Sequence, residues 1–120
     1  MTTFSTRAER HVGIIEVDGS LNNAAVAGLR DAFTQVITKA GSRHVLIVAD
    51  KITSMDQSAA FVMVDECNAL RAQGGKIAWV SRNGWTPTRG TAASTALVME
   101  VYPSVESALD AFQVHAEGTP

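Results

Sequence analysis

The residues best placed to do chemistry lie in the segment Ser54–Ala60, which follows a strand-like apolar run and opens a helix-like one. In an open α/β sheet, functional side chains collect at the carboxyl ends of strands, opposite the N-terminus of the next helix. Asp56 could act there as a general base, although capping the helix is the commoner role. No Ser/His/Asp order, Cys/His nucleophile or glycine-rich phosphate loop accompanies it. The segment therefore indicates a recognition or switch surface, and we expect neither an enzyme nor a cofactor.

The other reactive side chains are better explained without chemistry. Cys67 falls on the predicted inner face of a helix and has no Cys or His at ligand spacing, which favours a core position. His11, His44 and His115 are scattered and form no i, i+4 metal pair, so no metal site is predicted. Trp85 near a turn is either buried or half-buried, which is the interpretation we adopt, or an exposed anchor for a partner.

Composition describes an ordinary globular domain. The chain has 120 residues, of which 46% are hydrophobic and 18% charged, and its formal net charge of -2 argues against direct nucleic-acid binding. The single cysteine excludes an internal disulfide and suits a reducing cytoplasm. There is no signal-peptide pattern, and the longest apolar run, Ala59–Val64, is too short for a membrane span. We expect one cytoplasmic domain over residues 1–120, with a core at about 4–112 and a frayed tail at 114–120.

The hydrophobic periodicity predicts strands that alternate with helices. Strands are predicted at 4–8, 11–17, 44–49, 76–80 and 98–102, and the turn residues Asp18, Gly19 and Ser20 are expected to end the second one. Helices are predicted from Asn22 or Asn23 to Gly41, at 57–73, at 91–97, and from the cap Ser104 onward. This order implies an α/β fold with a mostly parallel mixed sheet of about five strands and about four helices.

Four motifs, in the order in which they occur, resemble the STAS domain, the fold of bacterial anti-sigma-factor antagonists and sulfate-transporter tails. They are Gly19–Asn22, similar to a Gly-x-Leu-Asp turn; Arg43–Val48, similar to the central strand; Met55–Ala59, similar to a Met-Asp-Ser-Ser/Thr-Gly signature; and Tyr102–Leu109, similar to the closing tyrosine, glutamate and Ala-Leu segment. The similarity extends over about residues 4–112, and it implies a STAS-like fold for almost the whole chain.

The resemblance also implies a function. In typical members of the family, the serine directly after the aspartate is phosphorylated by a partner that is both a serine kinase and an anti-sigma factor. The unmodified protein binds that partner and frees the sigma factor. By this resemblance the chain is a non-enzymatic regulatory binding protein that binds an anti-sigma factor/serine kinase through the helix start at Asp56, Gln57 and Ser58.

The chain departs from the family pattern at the site itself. Gln57 stands at the acceptor position and cannot be phosphorylated, Asn22 replaces an acidic residue, and Ala59 replaces a glycine. Ser58 matches the second hydroxyl of the signature. Three interpretations of Ser58 remain: a helix-start hydroxyl with no regulatory role, a displaced phosphoacceptor, or a contact to the partner.

The predicted partner surface consists of that helix start and the outward side of the second helix, with these residues: Asn22, Asp56, Gln57, Ser58, Val62 and Asp65. An alternative is a cytoplasmic accessory subunit of a membrane transporter, of the ABC lipid-transport or sulfate-permease type, since such a subunit needs no phosphoserine. A small-ligand enzyme or sensor rests only on the cleft at the strand ends. The apolar surface suggested by Val62, Trp85 and Ala93 also leaves a homodimer open.

Overall fold

The computed structural model describes residues 2–82 and 100–117, with side chains as far as Phe112. The elements are β1 (Thr3–Glu9), β2 (Val12–Leu21), α1 (Val26–Ala40), β3 (Val45–Met55), α2 (Gln57–Ala72), β4 (Ile77–Val80), β5 (Glu100–Tyr102) and α3 (Val105–Glu117), and a short 3-10 turn at Asn23–Ala25 leads into α1. The predicted helix at 91–97, together with Trp85 and Ala93, lies outside the described residues. α3 takes in residues 114–117, which the sequence assigns to the tail.

The five strands form one mixed sheet in the order β1-β2-β3-β4-β5. β1 is antiparallel to β2, and every other neighbouring pair is parallel. The predicted α/β class and mostly parallel mixed sheet are therefore confirmed. The described residues contain three α-helices where the sequence predicts about four, the remaining one being the helix at 91–97.

Helices cover both faces of the sheet, because alternate strand residues point to opposite sides and both sides are apolar. On one face, Ile47 and Trp79 pack with Phe33 of α1 and Met63 of α2. On the other face, Leu46 packs in a smaller cluster with residues of α3 that include Phe112. This arrangement leaves the carboxyl ends of β2 and β3 free to present the candidate site.

β2 and β3 are longer than the sequence predicts. The predicted turn residues Asp18, Gly19 and Ser20 do not end β2; two shifts of register let the strand continue, and Gly19 takes up a φ of 115°. β3 continues past Ala49 as far as Met55 because its later residues pair with this extension of β2. The prediction of a turn at Asp18–Ser20 was therefore wrong. In the structure, the ends of β2 and β3 lie side by side.

The predicted helix boundaries are confirmed where a local signal marks them. Asn22 caps the 3-10 turn that leads into α1, and Gly41 ends α1 with a φ of 68°. Gly74 follows the end of α2 with a φ of 84°. The backbone N–H of Ser107 donates to Ser104 Oγ at 3.1 Å, which makes Ser104 the cap of α3.

Candidate functional site

The site is built where β2 and β3 end next to each other. Leu21 lies opposite Met55, and the N–H of Asp56 donates to the carbonyl oxygen of Leu21 at 2.8 Å. One step earlier along the strands, Ser20 Oγ and Ser54 Oγ are 2.7 Å apart and share a hydrogen bond. The strand pairing therefore fixes the backbone directly before Asp56.

Asn22 lies beside this junction, and its side chain caps the turn before α1. Its Oδ1 accepts a hydrogen bond from the N–H of Ala25 at 3.1 Å, which holds the turn before α1. The side chain is partly exposed. Of the two predicted helix starts, Asn22 and Asn23, the structure has Asn22 as the cap of the turn before α1. Its NH2 group and the second lone pair of Oδ1 have no partner among the described residues.

Asp56, Gln57 and Ser58 form an exposed polar run at the start of α2. Asp56 stands at the predicted N-cap position, but its carboxylate makes no capping hydrogen bond. None of the three side chains has a hydrogen-bond or ion-pair partner within residues 2–82 and 100–112. The backbone here is fixed, because Ala60 N–H donates to the Asp56 carbonyl at 3.0 Å. A fixed backbone thus presents three uncommitted polar groups to solvent.

The prediction that Val62 lies on the outward side of the second helix was wrong. Its side chain is only 9% exposed and belongs to the core. One turn further along, Glu66 pairs with Arg30 of α1 at 3.7 Å, so this side of α2 faces α1 and not solvent. Asp65 is exposed as predicted.

Two features of this region were not predicted from the sequence: the exposure of Phe61 and the contact between Ser20 and Ser54. Phe61 is 45% exposed on α2, and among the described residues it is the exposed large hydrophobic side chain. Its exposure could not be predicted, because Phe61 belongs to the continuous apolar run Ala59–Val64. Such a run has no periodicity that would distinguish buried from exposed positions. Ser20 and Ser54 could be linked only by knowing the strand register, which the expected turn at residues 18–20 obscured.

A shallow cavity of about 590 Å³ adjoins the junction on the side of β1. Its lining includes Phe4, Ser20, Asn22, Gly28 and Thr53. The Phe4 ring sits against Gly28, where a Cβ would come within 2.7 Å of the ring carbon Cε2. The cavity therefore adds a mixed hydroxyl and apolar recess beside the polar run.

The α2 side of the site carries negative charge. Between Asp56 and Leu70 the chain contains three carboxylates and no Lys or Arg. Glu66 is paired with Arg30 at 3.7 Å, whereas Asp56 and Asp65 have no ion pair within the described residues. A ligand of this surface would meet two uncompensated carboxylates.

Reactive side chains elsewhere in the described part of the chain are held in structural positions. Cys67 is fully buried, and burial raises the pKa of its thiol to about 12, as expected for the predicted core residue. His44 lies near the amino ends of the strands, where its Nδ1 accepts from the N–H of Lys76 at 3.1 Å and its ring meets the edge of Phe112. Among the side chains that the structure describes, which end at Phe112, no group of three or more His, Cys, Asp or Glu residues could hold a metal ion.

Within residues 2–82 and 100–117, none of the helices is both long and apolar enough to cross a bilayer.

The fold and the motifs at its strand ends correspond to a known family model, the STAS domain, which matches residues 3–108. The chain belongs to the STAS domain family. The resemblance drawn from the four sequence motifs is thereby confirmed. No curated protein matches the chain in sequence.

Solved structures of the same fold include anti-sigma factor antagonists. A putative anti-sigma factor antagonist from Thermotoga maritima is 17% identical, with a TM-score of 0.71 over 92% of this chain and 94% of that one. The unphosphorylated form of the anti-sigma factor antagonist SpoIIAA is 18% identical, with a TM-score of 0.70 over 92% and 98% of the two chains. A variant of RsbS from Moorella thermoacetica is 12% identical, with a TM-score of 0.72 over 95% and 97%. At these identities the likenesses establish the fold.

Proposed function

We propose that this STAS domain is a non-enzymatic regulatory protein of the anti-sigma-factor-antagonist type, and that it acts in the cytoplasm. It binds an anti-sigma factor/serine kinase through the helix start formed by Asp56, Gln57 and Ser58. The observation that carries the proposal is the state of these three side chains: they are exposed, consecutive and without a partner among the described residues, on a backbone held by strand pairing. The family membership and the likeness to solved anti-sigma factor antagonists support the same function.

The rigid backbone is what suits this junction to binding. Ordering a loop or side chain on association costs free energy, and a preformed backbone avoids most of that cost. Here the Leu21–Asp56 hydrogen bond of 2.8 Å and the paired strand ends fix the backbone before a partner arrives. The partner then needs to order only three short or medium side chains.

The binding test is isothermal titration of the purified chain against each serine kinase of the anti-sigma-factor type encoded by the source organism. Asp56→Asn removes one charge and keeps a good capping residue, so we expect roughly a tenfold loss of affinity with little change in stability. Asp31→Asn on α1 is the matched control, since it removes an exposed carboxylate from another helix. Equal affinities for wild type and Asp56→Asn would show that the helix start is not part of the interface.

We further propose that Ser58 is a displaced phosphoacceptor. Gln57 offers no hydroxyl, whereas the Ser58 hydroxyl is exposed in the first turn of α2 and free of hydrogen bonds within the described residues. A phosphate would add about −1.5 to −2 charges beside Asp56 and change the fit of any partner that contacts a neutral hydroxyl. Incubation with the bound kinase and Mg-ATP, followed by mass spectrometry, should find phosphate on wild type and none on Ser58→Ala. Absence of phosphate from wild type would mean a constitutive antagonist, in which Ser58 is either a contact to the partner or a helix-start hydroxyl with no regulatory role.

The alternative function, an accessory subunit of a membrane transporter, is favoured by one observation. Gln57 stands where a phosphorylated member has its hydroxyl, and a subunit that only binds needs no acceptor. Affinity purification of the tagged chain from detergent-solubilised membranes tests this function. Recovery of a permease or transport ATPase, with no binding to the serine kinases, would favour the transporter over the antagonist.

A further inference from the structure

The outward side of α2 combines an apolar side chain with negative charge. Phe61 is 45% exposed, and Gln57 and Asp65 lie one turn before and one turn after it on the same side of the helix. A single exposed hydrophobic residue is common on protein surfaces and by itself indicates nothing. Here, however, it belongs to the same helix side as the proposed interface, one turn from Ser58.

The neighbouring side chains leave Phe61 uncovered. Within the described residues, Asp56, Gln57, Ser58 and Asp65 are all exposed, and none of them is bonded to another group. Further along the helix, exposed Asn68 lies two turns from Phe61 on the same side, and the exposed residues Ala69 and Ala72 are small. A partner on this side of α2 would therefore meet the Phe61 ring surrounded by polar side chains.

The charges restrict what can cover this face. Asp56 lies five residues before Phe61 and Asp65 four residues after it, which places them about 7.5 Å and about 6 Å away along the helix axis. Neither carboxylate is paired within the described residues, and no Lys or Arg occurs from Asp56 to Leu70. Nucleic acid or an anionic membrane would be repelled. A second copy related by a two-fold axis would set the same carboxylates against one another.

We propose that Phe61 is the hydrophobic anchor of the α2 interface, and that it inserts into an apolar pocket of a partner protein whose rim carries Lys or Arg opposite Asp56 and Asp65. This inference rests on the proposed function, because the partner is the anti-sigma factor/serine kinase named there. It adds the residue that supplies most of the affinity and the chemistry of the pocket that receives it. Buried aromatic residues ringed by polar contacts are the usual hot spots of protein interfaces.

The test is titration of the full chain against the serine kinase that binds wild type most tightly, with Phe61→Ala, Phe61→Leu and the control Thr34→Ala. Thr34 is exposed on α1 and is not part of the proposed interface. We expect roughly a thirtyfold or greater loss for Phe61→Ala, a smaller loss for Phe61→Leu, and no change for Thr34→Ala. Asp65→Asn should weaken binding and reduce its dependence on salt, whereas Asp31→Asn should do neither.

Other results would overturn the inference in distinguishable ways. Unchanged affinity of Phe61→Ala for a kinase that binds wild type would remove the anchor and leave the proposed function standing. Failure of wild type to bind any of the kinases would overturn both. A large fall in Tm for both Phe61 variants would show that the chain itself covers the ring. Sedimentation that showed a dimer in wild type and a monomer in Phe61→Ala would assign the face to a second copy.

Discussion

Asp56 and Ser104 occupy the same position, the N-cap, in α2 and α3, but they use it differently. Ser104 Oγ accepts a hydrogen bond from the N–H of Ser107 at 3.1 Å, whereas the Asp56 carboxylate makes no capping bond. Aspartate and serine are about equally good caps, so the difference lies in the use of the side chain and not in its type. The Asp56 carboxylate therefore stays without a hydrogen-bond or ion-pair partner among the described residues.

This contrast predicts different effects on stability. Ser104→Ala should lower the free energy of unfolding by about 1 kcal/mol, because it leaves an N–H of the first turn without its partner. Asp56→Ala should lower it by at most a few tenths in about 0.5 M salt, where attraction between the carboxylate and the helix dipole is screened. Urea denaturation of the two variants measures both values. Equal losses would mean that Asp56 caps α2 in solution.

Cys67 should be inert in the folded protein. Its side chain is fully buried, and burial raises the pKa of the thiol to about 12, so little thiolate forms at neutral pH. We expect a thiol reagent such as DTNB to modify the native protein only as fast as it unfolds, and to react at once in denaturant. Introducing a thiol by Ser58→Cys in a Cys67→Ser background gives the comparison, since that position is exposed and should react rapidly. Fast labelling of native wild type would contradict the buried assignment.

At the scale of the elements, the sequence predicted what depends on neighbouring residues and missed what depends on distant ones. Gly41 and Ser104 mark helix ends by their own conformation or side chain, and both were found correctly. The end of β2 was placed too early because Asp18 and Gly19 have turn chemistry, while pairing with β3 keeps the strand going. Local propensity carried no information about that pairing.

The same reasoning applies to the candidate site. The junction around Asp56 was predicted from a strand-like run followed by a helix-like run. The helix begins at Gln57 as predicted, whereas the strand before it continues to Met55 and does not end at Ala49. Val62 was misplaced because the side of α2 that faces α1 is set by helix packing, visible in the Arg30–Glu66 pair. Phe61 was missed for the same reason. Which apolar residue of a continuous run reaches solvent is a tertiary property.

The close approach of β2 and α1 gives an element-level prediction. A Cβ on Gly13 would lie 2.8 Å from Val36 Cβ and 3.2 Å from the Val36 carbonyl oxygen, so any side chain there pushes α1 from the sheet. We expect Gly13→Ala to cost about 1–3 kcal/mol of unfolding free energy. Gly41→Asn is the control: nothing lies within 4 Å of the added Cβ, and asparagine tolerates the φ of 68°, so it should cost only a few tenths. Similar losses in thermal or urea unfolding would show that the helix can move away freely.

At the scale of the whole molecule, the two ends of the sheet differ. The polar run lies at the carboxyl ends of β2 and β3, whereas the amino ends of β3 and β4 are connected to each other and to α3. There His44, just before β3, accepts a hydrogen bond from the N–H of Lys76, just before β4, and contacts the ring of Phe112 in α3. The imidazole of His44 therefore connects the starts of β3 and β4 to α3.

That position makes the stability of the whole fold depend on His44 remaining neutral. Burial, and secondarily the charge of Lys76, lower the pKa of His44 in the folded state below its value of about 6.5 in the unfolded chain. The unfolded chain therefore binds the proton more readily, and the contribution is fully present above about pH 6.5 and is lost as the pH falls through the folded pKa. We expect the Tm of wild type to fall more between about pH 7 and pH 5.5 than that of His44→Asn, whose neutral Oδ1 can accept from Lys76 without titrating. His11→Asn, a change of an exposed histidine in the β1–β2 turn, should keep the wild-type dependence. If His44→Asn and wild type lost stability in parallel, some other group would control the acid response of the fold.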